Sequence, residues 1–250
     1  MSKKNTGFNT RLVHAGDFKD EFGSATTPIY QTSTFEFENT EQGANRFKGE
    51  EQGYIYTRWS NPTIAALENK LASLENGAGA VVFSSGMAAI MAVYTAFLKQ
   101  GDHIISSAAV YGPSRVAIET VFSGFGVSST YVDTSNLEEV RNAIQPNTKL
   151  LYLETPGNPT LQITDIQACC QLAKEHNVPV AVDNTFSSPY LQTPLDLGAD
   201  ISLHSLTKFI NGHGDIVAGA VISKDAEVDA MIRKTMVIMG SNVDPHQAYM

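Results

Sequence analysis

Hydrophobic positions follow two regimes along this chain. From Asn61 onward, short apolar runs alternate with segments whose apolar residues recur every three or four positions, whereas residues 1–60 are polar, rich in Gly, Thr, Asn and Gln, and sustain neither period. The alternation opens with a helix. Asn61 is a capping residue, Pro62 suits the first helical position, Ile64, Leu67, Leu71 and Leu74 share a face, and Gly77 follows the end. Then AVVFSS precedes GMAAIMAVYTAFLKQ, HIISS precedes PSRVAIETVFSG, VSSTYVD precedes NLEEVRNAI, KLLYLET precedes TDIQACCQLAKEH, and PVAVD follows. Further strands are predicted at DISLHS and AGAVIS, and a helix over Ala226–Met239. This pattern predicts an α/β class: a mainly parallel sheet with helices on both faces, joined by right-handed crossovers. The expected division is an extended N-terminal arm over 1–60 and a domain over 61–250. The arm carries Phe8, Phe35, Phe37, Tyr54 and Tyr56 among other aromatics, more than disordered segments hold, which favours packing on a neighbouring subunit.

Composition narrows the picture. A chain of 250 residues, 42% of them hydrophobic, can bury a sizeable core. The formal net charge of -9 opposes nucleic acid and anionic membrane as partners, because that affinity needs clustered Lys and Arg. Small-molecule chemistry is the expectation. The start MSKKNTGFNTR lacks an apolar stretch after its lysines and no apolar run is long enough to span a bilayer, so the expected location is cytoplasmic. Cys169 and Cys170 are adjacent, offer neither a disulfide framework nor metal-ligand spacing, and read as helix residues.

Parallel sheets place ligands outside the carboxyl ends of their strands, here Ser84–Met87, Tyr111, Glu154–Asn158, Asp183–Thr185 and His204–Lys208. Ser84-Ser85-Gly86-Met87 follows a strand and opens a helix, where free backbone N–H groups and the positive dipole end suit a phosphate. The dipole contributes only ~0.3–1 kcal/mol, so further donors are required, and a tight turn with Gly86 present for sterics explains the motif equally well. Asp183 ends the apolar run Pro179–Val182, and a lone charge there is costly unless paired. An arginine, the following turn, or the protonated ring nitrogen of a pyridine cofactor would each serve, turn capping being the commonest.

Lys208 lies in HSLTKFINGHGD beside the hydroxyls of Ser205 and Thr207. A lysine is ordinarily a solvated surface group, but a desolvated one supplies the neutral amine that condenses with an aldehyde. Tyr56 and Arg58 in YIYTRWSNPT would point the same way in an extended segment, as a phosphate clamp or as a surface pair. Tyr111 either stacks on a ring or fills core space. His204 and His213 lack zinc spacing and read as satisfied polar histidines, so no metal is expected. No P-loop occurs and GAGAVV does not space as GxGxxG, which counts against an NTPase or a dinucleotide enzyme.

Taken together and in order, TTPIYQTSTF, YIYTRWSNPT, SSGMAAI, VYG, LETPGNPT, VDNTF and HSLTKFINGHGD resemble the Cys/Met-metabolism family of pyridoxal phosphate enzymes, over essentially the whole chain. The resemblance implies the large domain of the fold type I PLP-dependent transferases, with pyridoxal 5′-phosphate as cofactor. It implies Lys208 as the Schiff-base lysine, Asp183 paired with the pyridinium nitrogen, and Tyr111 stacked on the ring as well as serving as acid or base near the leaving sulfur. Gly86 and Met87 backbone, Ser205 and Thr207 would hold the phosphate, joined by Tyr56 and Arg58 of an adjacent subunit, and Asn158 would stand near the phenolic oxygen. The implied partners are an amino acid substrate and further copies of the chain, as a homodimer or homotetramer.

YIYTR and NGHGD look most like the methionine γ-lyases, which implies γ-elimination to 2-oxobutanoate, ammonia and a thiol. Pro113 stands where those lyases carry cysteine, which keeps cystathionine γ-lyase, cystathionine γ-synthase and O-acylhomoserine sulfhydrylase as alternatives. Family members continue into a smaller C-terminal domain that supplies an arginine for the substrate carboxylate, whereas this sequence stops at MGSNVDPHQAYM. The expectation is a fragment, or a shortened and catalytically impaired PLP-binding remnant, with apolar surface left exposed. A colourless nucleotide-binding α/β domain is the competing class.

Overall fold

The protein is described by a computed structural model over residues 6–250; Lys3 and Lys4 of the N-terminal stretch lie outside the described residues. In chain order the elements are α1 (Phe8–His14), α2 (Thr40–Lys48), α3 (Pro62–Leu74), β1 (Gly79–Phe83), α4 (Gly86–Phe97), β2 (His103–Ser107) and α5 (Gly112–Val116). They continue with β3 (Ser128–Val132), α6 (Leu137–Ala143), β4 (Thr148–Glu154), α7 (Ile166–Glu175), β5 (Val180–Asp183) and α8 (Ser188–Leu191). The last are β6 (Ile201–Ser205), β7 (Gly219–Ser223), α9 (Ala226–Met239) and α10 (Pro245–Tyr249). The strands form a seven-stranded sheet in the order β1-β7-β6-β5-β4-β2-β3, in which β7 runs antiparallel to both of its neighbours and the other pairings are parallel.

Local chemistry explains the element ends. Asn61 accepts the Thr63 amide ahead of Pro62 and starts α3, and Asp225 likewise caps α9 through the Val228 amide. The central strands are buried on both faces: β4 and β5 are almost continuously apolar, whereas β6 buries Ser202 and His204 between apolar positions. One face packs α4 and α9 through Ala89, Val93, Ile232 and Met236 onto Val81, Phe83, Ile201 and Val221. The other packs α3 onto β1 and β7 through Ile64, Leu71, Val82 and Ile222, and α7 onto β4 and β5 through Ile166, Leu172, Leu151 and Val180. Fully burying a side chain such as Leu71 contributes roughly 1.5–3 kcal/mol.

Three departures from the sequence pattern have physical causes. The arm contains two short helices. The second is set by Asn39, which caps the Gln42 amide, and by left-handed Gly49, signals that a polar segment with an internal Gly43 conceals. The helix expected over PSRVAIETVFSG is widened to a π turn at Ala117–Phe122, where Thr120 and Ser123 hydroxyls donate to the carbonyls of Val116 and Glu119. The segment around Tyr56 is not extended throughout. The chain turns at Thr57–Trp59, with the Trp59 amide bonded to the Tyr56 carbonyl. No described helix is long and apolar enough to cross a membrane.

Candidate active site

Glu154 and Asp183 are register partners at the ends of β4 and β5, and Leu203 pairs Asp183 on β6. Opposed residues project to the same face of a sheet, so both carboxyls reach one cavity on the α4 side. That cavity, about 250 Å³, is lined by Gly86, Met87, Tyr111, Asn158, Ser205, Thr207 and Lys208 as well as the two acids. Every site residue read from the sequence lines it except Tyr56 and Arg58.

Asp183 is buried, and its bonds divide by oxygen. Oδ1 accepts the Thr185 hydroxyl at 2.5 Å and the Thr185 amide at 3.1 Å, which is the turn capping weighed above, while Oδ2 accepts only the Tyr152 hydroxyl at 3.3 Å. No arginine or lysine bridges to it among the described residues. Burial raises its pKa above the ordinary carboxylate value, with the Thr185 bonds pulling the other way. Glu154 is raised as well, to about 8, first by burial and then by the neighbouring Asp183. Two buried acids without a cation form a site where a cationic ring nitrogen gains what the chain does not itself supply.

The opposite charge is provided for at α4. Ser85 caps the helix by accepting the Ala88 amide at 3.0 Å, so the Gly86 and Met87 amides, which have no intrahelical acceptor, are the free donors there. The turn is pressed against β6 and β7. A Cβ on Gly86 would stand 2.9 Å from Ser205 Cβ, and one on Gly219 would overlap the Ser85 carbonyl. Glycine at both positions is thus a requirement of close approach, which also seats the Ser205 hydroxyl beside Gly86. Thr207 Oγ1 exchanges hydrogen bonds with the Ala218 backbone at 3.1 and 3.2 Å, which fixes that hydroxyl at the cavity edge.

Lys208 follows β6 in a turn and is exposed at the cavity rim, not desolvated as the aldehyde chemistry suggested from sequence; its chain leaves the sheet before the side chain is reached. Tyr111 is also partly exposed and follows β2. Arg58 does not extend beside Tyr56 but folds over its ring at 5.3 Å and donates to the Val237 carbonyl at 2.5 Å, a consequence of the Thr57–Trp59 turn. Within one chain these two make a surface pair outside the cavity. Sequence reasoning flagged the Glu154 strand end but gave the residue no part; its neighbour Pro156 and the apolar run before it were the available signal.

A cavity with free amides at one end, uncompensated carboxyls at the other and a lysine at its rim fits a phosphate-bearing pyridine aldehyde, which sets the chain among pyridoxal phosphate proteins. The model of the Cys/Met metabolism PLP-dependent enzymes matches residues 9–250, and the chain belongs to that family, whose cofactor is pyridoxal 5′-phosphate. It is similar to L-methionine gamma-lyase of Fusobacterium nucleatum subsp. nucleatum, 47% identical over 251 residues, covering 100% of this chain and 64% of that protein. The crystal structure of metB from Corynebacterium glutamicum superposes with a TM-score of 0.94 at 44% identity, covering 100% of this chain and 63% of that one. Cystathionine gamma-lyase from Lactobacillus plantarum, solved with L-serine, gives a TM-score of 0.91 at 41% identity, covering 98% and 62%. The chain therefore spans somewhat under two thirds of the length of these relatives.

Proposed function

We propose that the chain is the cofactor-binding part of a carbon–sulfur lyase of sulfur amino acid metabolism, acting by γ-elimination on methionine, cytoplasmic and assembled as a homodimer or homotetramer. The observation that carries the reading is the meeting of Lys208 and Asp183 at one cavity that ends on the α4 N-terminus. When bound, pyridoxal phosphate supplies an aldehyde for an amino group and a ring that accepts electrons from the substrate's Cα.

The chain's own residues then divide the work. Lys208 Nζ would hold the cofactor covalently and would move protons at the rim where it stands. The Asp183 carboxylate balances a protonated ring nitrogen. The Gly86 and Met87 amides, with the Ser205 hydroxyl and a Thr207 hydroxyl turned from the Ala218 carbonyl, would bind the phosphate. Tyr111 would offer a ring face and a phenol that exchanges a proton with the leaving sulfur, and Asn158 would stand near the cofactor's phenolic oxygen. Tyr56 and Arg58 act from the arm, residues 1–60, on the site of an adjacent subunit, and residues 61–250 form the domain that holds the rest.

A cystathionine substrate is the second reading, favoured by Pro113 in the first turn of α5, which stands where the resemblance to methionine γ-lyases implies a cysteine. Incubation with methionine, cystathionine, or O-acetylhomoserine plus a thiol, with 2-oxobutanoate and sulfur products measured, tests both. Methionine turnover is expected to exceed the others. A yellow protein that turns over none of them is a cofactor-binding remnant, and a colourless one ends the reading.

A further inference from the structure

Two loops carry the residues that face the cavity from the β2 and β4 side, and both are tied to one side chain. Glu154 Oε2 accepts the Tyr111 amide at 2.7 Å, and Oε1 accepts the Asn158 amide at 3.0 Å. The residue is itself anchored. Its amide donates to Ser107 Oγ at 3.3 Å at the end of β2, and Ser107 Oγ lies 2.9 Å from Thr134 Oγ1, both buried. The loops also touch directly, since a Cβ on Gly157 would stand 2.8 Å from the Ala109 carbonyl oxygen.

The chemistry specifies the residue type. Two backbone N–H groups converge on the two oxygens of one carboxyl, so the partner must offer an acceptor oxygen on both sides, which a carboxyl does with or without its proton. Glutamine would turn its NH₂ toward one of those N–H groups, donor against donor, and aspartate would fall one methylene short. Burial, and for Glu154 the neighbouring Asp183 as well, disfavours the charged form, so Glu154 is a poor choice for stability alone.

We propose that Glu154 is a positioning residue, which acts through Tyr111 and Asn158 by holding both loops so that the phenol and the carboxamide face the same cavity. The inference rests on the reading that this cavity binds pyridoxal phosphate. It extends that reading to a residue that need not contact the substrate at all.

The test compares the full chain with E154Q and E154D by titration with pyridoxal phosphate, circular dichroism of the bound cofactor's visible band, and thermal melting. E154Q is expected to weaken cofactor binding about tenfold, the loss of one hydrogen bond to a loop amide, and to reduce the dichroic band per bound cofactor. Its melting temperature should hold near neutral pH, where burial already leaves the Glu154 carboxyl largely protonated. E154D, which keeps two acceptors, should fall between wild type and E154Q, and it carries the test alone if E154Q does not fold. A variant that melts lower yet keeps wild-type affinity and dichroism makes Glu154 a structural residue and overturns the proposal. Wild-type protein that gains no visible band sinks the cofactor reading itself; a wild-type band that both variants match sinks only the role of Glu154.

Discussion

The two faces of β5 and β6 both carry buried acids, and their surroundings differ. On the α3 side, Glu75 at the end of that helix is fully buried, and its Oε1 accepts His204 Nε2 at 2.5 Å with Asn184 Nδ2 and Ser202 Oγ each at 3.0 Å. On the α4 side, Asp183 and Glu154 are buried with hydroxyl and backbone donors but no cation. Ser202 and His204 alternate with Leu203 and Ser205 along β6, so one strand supplies both settings. Glu75 has a histidine at Oε1, although its Oε2 and His204 Nδ1 are left without partners, and it ties the fold together; the acids that no basic side chain reaches mark where a guest belongs. An acid's want of a basic partner, and not unmet hydrogen bonding alone, thus separates this site from this core.

Removing the cation at the rim should have the largest effect. Lys208 is the one lysine or arginine lining the cavity among the described residues. Borohydride added to protein incubated with pyridoxal phosphate should fix the adduct on Lys208, and Lys208→Ala should abolish labelling. Mass spectrometry of the digest decides the matter, and a tag that survives on another lysine refutes the assignment.

On the other face the expected response is a loss of stability without loss of colour. Glu75→Ala leaves His204, Asn184 and Ser202 without their shared acceptor, and breaking a buried pair in this way costs about 3–5 kcal/mol. Urea denaturation measures it. A change below about 1 kcal/mol would mean that the cluster finds water or another partner.

Asp183→Asn probes the cavity side by the same logic with the opposite sign. The amide retains an acceptor for Thr185 but no charge, so cofactor affinity should fall roughly 10- to 100-fold while folding stability holds or rises. Equal affinity, read from a fluorescence or absorbance titration, would deny the carboxylate its place opposite the ring nitrogen.

The contrast between the faces also explains what the sequence could and could not disclose. Asp183, Lys208 and Ser85–Met87 stand at the ends of strands that hydrophobic patterning locates, and a parallel sheet gathers such ends, so their convergence is legible. The helix over Ala226–Met239 lies where its periodicity places it. Glu75 is different. A glutamate closing a helix reads as a solvated charge, and only the fold brings it against His204, 129 residues away. The same holds for Glu154, whose two acceptors matter only once two loops meet on it, and for Arg58, whose turn at Thr57–Trp59 no period announces.

The smallest expected effect is a slope with pH, and its sign follows from the cavity acids. Burial lifts Glu154 from 4.5 to about 8 and raises Asp183, while Tyr94, Tyr152 and His204 are the other titratable groups acting on this pair. A carboxyl whose folded pKa is raised keeps its proton where the unfolded chain has lost it, so the folded state binds more protons between about pH 4.5 and pH 8. Stability attributable to the pair is full below that window and declines as pH rises through it, by at most about 1.4 kcal/mol per pH unit for one proton. Denaturation midpoints of cofactor-stripped protein from pH 5 to 9 should therefore fall and then level, and Glu154→Gln should flatten most of the fall. Saturating pyridoxal phosphate should flatten it as well, since a ring cation beside Asp183 stabilises the charged form. A slope that persists unchanged with cofactor bound would place the guest's positive charge elsewhere and erase the distinction between the two faces.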